Sequence, residues 1–160
     1  MKPAAIVSWG LLLMAFVSST APAASVAERQ ADSLLALKQI SCKAKVIDLR
    51  QPESPVDLPV ALVDSLMMGV MIVGHRVTKP DPQSELTNGF VAFGNFDSSR
   101  KLILLRIEGG HTLTNTKSGD VQDLKTTASM VLSRKFPELR TGRVSITGLN
   151  YNTAIECSVK

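Results

Sequence analysis

Residues 89–108 read GFVAFGNF, DSSR and KLILLRIE, and they give the clearest structural signal in the sequence. Two apolar runs flank the four residues 97–100, which are of types that favour turns. Val, Ile and Phe are enriched in strands because their bulky side chains pack well on a pleated surface. This stretch therefore predicts a β-hairpin with a four-residue connection.

The residues that follow the hairpin predict a second turn, a polar strand and a helix. Gly109–Gly110 favours a turn, and the threonine-rich stretch 111–116 suits a strand at the edge of a sheet. Asp120 is a good N-cap for a helix over 121–136, whose apolar residues recur at spacings of three and four. Pro137 ends that predicted helix.

The part of the chain that precedes the hairpin is expected to contain both element types. One stretch, 58–77, fits helix, strand or both, since helical spacing at its start gives way to a run of β-branched residues. The expected elements are an amphipathic helix over 26–40, a strand over 42–47, a loop over 51–59, a short helix over 58–68 followed by a buried strand to 77, and a loop over 78–83.

Two further strands are predicted near the end of the sequence, over 144–146 and 155–159. Alternation in the second places Cys157 on the apolar face, and alternation over 42–47 does the same for Cys42. Helices separated by meandering strands are typical of the α+β class. We therefore expect a single α+β domain with an antiparallel meander sheet and two or three helices.

The first 24 residues have the layout of a secretory signal peptide. Lys2 provides a positive start, residues 4–17 form an apolar run, and small residues such as Ala21 and Ala23 provide a cleavage site. An uncleaved membrane anchor is the alternative, but this run is shorter than a spanning helix requires. The sequence thus predicts a signal peptide over 1–24, a single globular domain over 25–160, a periplasmic or secreted location, and no stable membrane insertion after cleavage.

The two cysteines, Cys42 and Cys157, are expected to form a disulfide. An oxidising compartment favours joining them, and both are expected to face the interior. Two independent thiols are one alternative and a catalytic cysteine is another. A catalytic cysteine needs a nearby base, and neither residue has a histidine close to it in sequence.

Charge and motif content argue against several functional classes. The net charge is +4, and the basic residues are scattered rather than clustered, so no nucleic-acid partner is predicted. The chain has only two histidines, His75 and His111, and lacks the spacing of a zinc site or a phosphate-binding loop. No cofactor, metal site or catalytic set of residues is predicted.

We therefore expect a small exported binding protein that acts by contact with another protein, such as inhibition of, or immunity toward, a toxin or hydrolase. One alternative is a structural or accessory component of an envelope or secretion assembly. A small envelope hydrolase that uses His111 and scattered acids is less favoured. The predicted partner surface comprises the turn 97–100, the strand 111–116 and the loop 78–88, with Arg100, Thr112 and Thr114 as its contact residues.

Overall fold

The computed structural model describes Leu35, residues 37–65 and residues 69–160. These residues form a nearly all-β fold of two antiparallel sheets, so the prediction of an α+β domain with two or three helices is wrong. The elements are β1 (Ile40–Asp48), β2 (Val56–Leu58), β3 (Val60–Ser65), β4 (Gly69–Asp81), β5 (Ser84–Asp97), β6 (Leu102–Asn115), β7 (Val121–Leu132), a 3₁₀ turn (Pro137–Leu139), β8 (Thr141–Gly148) and β9 (Tyr151–Val159).

The strands are arranged as a four-stranded sheet, β2-β1-β9-β8, and a five-stranded sheet, β3-β4-β5-β6-β7. Only Pro59 separates β2 from β3, so the chain passes from one sheet to the other at that residue. Such a change of sheet forms a corner between two packed layers. The carbonyl oxygen of Pro59 accepts a hydrogen bond from the backbone N–H of His75, which places this corner against β4.

The core lies between the two sheets. Along β1, β5, β6 and β9, buried residues alternate with more exposed ones, as the two-residue side-chain period requires. The four-stranded sheet contributes side chains such as Ala44, Val46 and Ile155, and the five-stranded sheet contributes Phe90, Leu105 and Ile107.

The hairpin expected over 89–108 is confirmed, although its strands are longer than expected. β5 and β6 pair along their whole length, from Ser84 opposite Asn115 to Asp97 opposite Leu102. The Asp97 carboxylate accepts hydrogen bonds from the backbone N–H groups of Ser99 and Arg100, which stabilises the turn. The strands expected over 42–47, 144–146 and 155–159 are also confirmed, as parts of β1, β8 and β9.

The disulfide between Cys42 and Cys157 is present. The two residues lie directly opposite each other on β1 and β9, with a Cα–Cα distance of 4.1 Å and a sequence separation of 115. Cys157 is fully buried. The bond therefore joins two neighbouring strands of one sheet that are nearly the whole fold apart along the chain.

The helix expected over 121–136 is wrong, because this stretch forms β7. Its apolar residues Leu124, Ala128 and Leu132 are four apart, and a spacing of four satisfies both the helical period and the strand period of two. All three face the interior, opposite His111, Ile107 and Ile103 of β6, respectively.

The helix expected over 58–68 is also wrong where the structure describes it. Val60 and Val63, which would share one helix face, lie on opposite faces of β3, opposite Gly74 and Met71 of β4. Asp57 and Pro59, at the start of this stretch, lie at the corner where the chain changes sheets.

Three expectations about the segments around the hairpin are wrong as well. Gly109–Gly110 lies within β6 and makes no turn, and 111–116 belongs largely to an inner strand that pairs with both β5 and β7. The loop expected over 78–83 is mostly the end of β4, which continues to Asp81 through an irregularity in its pairing between Thr78 and Asp81. β-Bulges of this kind accommodate proline within a strand.

The remaining expectations concern the N-terminal part of the chain. The signal peptide predicted over 1–24 and most of the helix predicted over 26–40 lie outside the described residues. The end of the predicted helix, Ile40, begins β1. Within the described part of the chain, no helix has the length and apolar character needed to cross a membrane.

Candidate functional site

A groove of about 480 Å³ crosses the outer face of the five-stranded sheet. Its floor follows one cross-strand row, in which His75 of β4, Gly89 of β5, Gly110 of β6 and Lys125 of β7 lie side by side. Since the two central positions are glycines, no side chain covers the middle of the row. The row spans three strand spacings, which is about 14 Å.

The rows on either side of the floor form the walls of the groove. One wall carries the apolar side chains of Val73 and Val91 and then Glu108 and Thr127. The other wall carries Thr87, Thr112 and Asp123. The groove therefore has an apolar side near β4 and β5 and a charged side near β6 and β7.

The two floor glycines have different structural roles. A Cβ atom on Gly110 would overlap the backbone carbonyl oxygen of Leu124, so the close approach of β7 to β6 requires glycine there. A Cβ atom on Gly89 would lie 3.3 Å from the backbone oxygen of Gly74 and 3.6 Å from the His75 ring. Glycine inside a strand commonly marks such a close approach of another backbone.

The charged side of the groove is held by hydrogen bonds and ion pairs. The Asp123 carboxylate lies 3.0 Å from the Lys125 ammonium and accepts a hydrogen bond of 2.8 Å from the Thr112 hydroxyl. These two donors, Lys125 first, lower the pKa of the Asp123 carboxyl below its ordinary value of 3.8. On the opposite wall, the Arg106 guanidinium lies 2.8 Å from the Glu108 carboxylate. Both acidic groups are therefore paired before any partner arrives.

We expect Asp123 to titrate below the ordinary value of 3.8, and replacing Lys125 by methionine should raise its pKa toward that value. Because the folded state has the lower pKa, the stability that this carboxylate contributes is present above 3.8 and is lost as the pH falls through the folded-state pKa. NMR titration of the Asp123 carboxyl carbon measures the effect. Lys117→Met, which removes a lysine not paired with Asp123, is the control and should leave the titration unchanged. An equal shift in both variants would contradict the assigned ion pair.

The predicted contact residues fall into two separate regions of the surface. Thr112 lines the groove, and Thr114 lies two positions further along the same face of β6. Arg100 lies in the turn at the other end of the β5–β6 hairpin. Thr112 is ten residues beyond the start of β6, or about 34 Å at the rise of an extended strand. The structure thus brings Thr112 and Thr114 together and places Arg100 elsewhere.

The floor of the groove and its charged residues Glu108, Asp123 and Lys125 are not part of the surface predicted from the sequence. The available signal was the pair Gly109–Gly110 inside a longer stretch of alternating residues. We interpreted it as a turn, whereas it marks close packing of strands.

His111 lies in the interior, not on the surface. Its Nδ1 lies 2.7 Å from the side-chain oxygen of Asn88, and its Nε2 lies 3.0 Å from the carbonyl oxygen of Ile146. The imidazole is fully buried, and it ties β5 and β6 to β8 of the opposite sheet. A side chain held in this way is not positioned to touch a substrate at the surface.

His75 is the exposed histidine of the groove. Within residues 37–65 and 69–160, no three His, Cys, Asp or Glu side chains lie close enough together to hold a metal ion. Comparison of the chain with protein-family models, with curated proteins and with solved structures finds no match.

Proposed function

We propose that this protein is exported to the periplasm or secreted, and that it acts by binding another protein through the groove on the five-stranded sheet. The observation that carries the proposal is the glycine floor at Gly89 and Gly110, with valines on one side and ion pairs on the other. Protein interfaces commonly have this arrangement, in which an apolar centre is surrounded by a polar rim.

A large apolar side chain of the partner fits the floor best. Gly89 and Gly110 leave backbone exposed between Val73 and the charged side of the groove, and an aromatic or aliphatic side chain would cover that backbone as a cross-strand neighbour does. The Asp123–Lys125 pair then lies at the rim, where charges orient a partner more than they add affinity.

Two features support export. The Cys42–Cys157 disulfide fits an oxidising compartment, since such bonds are rare where thiols are kept reduced. The signal peptide predicted over 1–24 would direct the chain to export. A binding role toward a toxin or hydrolase, as inhibitor or immunity protein, is the form of this function that we favour, and the burial of His111 argues against a hydrolase that uses it.

The proposal is tested by filling the floor of the groove. We expect Gly89→Leu to weaken partner binding by about thirtyfold or more, because the new side chain would occupy the place of the partner's apolar anchor. Asn95→Leu is the matched control, since Asn95 is exposed on the same face of β5 but lies six residues away, at about 20 Å.

Immobilised wild-type protein, Gly89→Leu and Asn95→Leu would each be incubated with an envelope extract of the producing cells, and the retained proteins quantified by mass spectrometry. The supporting result is a protein retained by the wild type and by Asn95→Leu but lost with Gly89→Leu. Lys125→Glu, which reverses one rim charge, gives an independent second variant and should reduce retention of the same protein. Equal retention by all four forms would overturn the assignment of the groove.

A further inference from the structure

β3 is an edge strand whose outer hydrogen-bonding groups have no strand partner among the described residues. On its inner side it pairs with β4. The hydrogen bond from the His75 N–H to the Pro59 carbonyl shows which residues of this strand point their backbone groups toward β4. In an antiparallel ladder, alternate residues point their N–H and C=O groups to opposite sides. The backbone N–H and C=O groups of Val60, Leu62 and Asp64 therefore point away from β4.

β3 carries a single charged residue, Asp64, next to its C-terminal end, so most of this edge lacks the charges found on other edges. Residues Val60–Val63 carry no charge, and Leu62 and Val63 are 46% and 39% exposed. By contrast, β7 presents the Asp123–Lys125 pair, and Asp57 of β2 lies 4.0 Å from Lys45. Exposed edge strands without charges, bulges or cover are the ones that pair with another chain.

We propose that β3 pairs antiparallel with β3 of a second copy of this chain, about a two-fold axis at Leu62. In this register Leu62 lies opposite the partner's Leu62, and Val60 lies opposite the partner's Asp64. The three outward-facing residues of each strand then exchange about six hydrogen bonds. The two five-stranded sheets become one continuous sheet across the axis.

The sequence of β3 fits its own copy in this register. Asp64 meets Val60 rather than a second Asp64, so no like charges face each other. Pro59 has no N–H, but its backbone faces β4, where its carbonyl oxygen accepts a hydrogen bond. Its missing N–H therefore leaves no gap in the hydrogen bonds between the two copies. A two-fold pairing of this kind closes after two copies and does not continue into a filament. Five paired residues cover only about 17 Å, so the dimer should be weak and depend on protein concentration.

Position 62 faces itself across the axis, and this permits a charge-compensation experiment. Leu62→Lys and Leu62→Glu each place like charges opposite each other, and we expect either change to weaken self-association by about tenfold or more. An equal mixture of the two variants should associate as a heterodimer, since opposite charges then meet. Val131→Lys is the matched control, because Val131 is 39% exposed on β7 and lies outside the proposed interface.

Sedimentation equilibrium of the oxidised full chain over a range of concentrations measures the dimer, with one variant fluorescently labelled to detect the mixed species. Concentration-dependent dimers of the wild type and of Val131→Lys, lost in each position-62 variant and restored in the mixture, would support the pairing. A wild type that stays monomeric, or variants that associate as it does, would overturn it. Slow hydrogen exchange at the Val60, Leu62 and Asp64 amides of the monomer would also overturn it, since another part of the chain would then cover this edge.

Discussion

Replacing Cys42 and Cys157 together by alanine is expected to lower the free energy of unfolding by about 4–5 kcal/mol. The bond joins residues 115 apart in sequence, and so long a loop restricts the unfolded chain strongly. The folded state needs no rearrangement to form it, because antiparallel pairing of β1 with β9 already places the two residues opposite each other. A typical domain has about 5–15 kcal/mol of net stability, so this variant should lose about a third or more of it.

Urea denaturation of the wild type and of the double variant, each with and without reductant, measures this contribution. Reductant should lower the midpoint of the wild type to near that of the double variant and leave the double variant unchanged. A wild type whose midpoint does not respond to full reduction of the bond would show that the disulfide adds little to folding.

The second large effect is expected at Gly110. Gly110→Ala should destabilise the fold by about 3 kcal/mol or more, because the added methyl group would overlap the backbone oxygen of Leu124 and the backbone of β7 would have to move. Backbone pairing between β6 and β7 extends over twelve residue pairs, so the displacement cannot be absorbed by one side chain.

Gly89→Ala is the matched comparison, since it adds the same methyl group to the neighbouring glycine of the same floor. Its nearest contact would be 3.3 Å, which a small shift relieves, and we expect it to change stability by less than about 1 kcal/mol. Thermal unfolding followed by circular dichroism compares the two. Equal losses in both variants would show that β7 does not approach β6 as closely at Gly110 as the structure has it.

Sequence reasoning predicted the elements in which two independent signals agree. The β5–β6 hairpin combines turn residues at 97–100 with flanking apolar runs, and the disulfide combines two cysteines with strand alternation around each. It failed for β7, where Gln122 and Thr126 occupy inward positions and interrupt the alternation of apolar residues. Of the apolar residues on that side, Leu124, Ala128 and Leu132 are four apart, a spacing that fits a helix equally well.

The groove could not be predicted because it depends on cross-strand register. Gly89 and Gly110 are 21 residues apart in sequence and become neighbours only through the pairing of β5 with β6. The charged side requires a third strand, β7, which we had predicted to be a helix. Thr112 was included in the predicted surface, but the reason given, an edge strand at 111–116, was wrong, because β6 lies between β5 and β7.

The position of β9 has a consequence for when this chain can fold during its synthesis. β9 lies between β1 and β8, so the four-stranded sheet cannot assemble until residues 151–159 have left the ribosome. Its pairing with β1 also gives the fold many contacts between distant parts of the chain, and such topologies fold slowly. Both effects delay folding, and a polypeptide that is still unfolded can be threaded through a narrow translocation channel. The order of strands in this sheet thus suits the export proposed here.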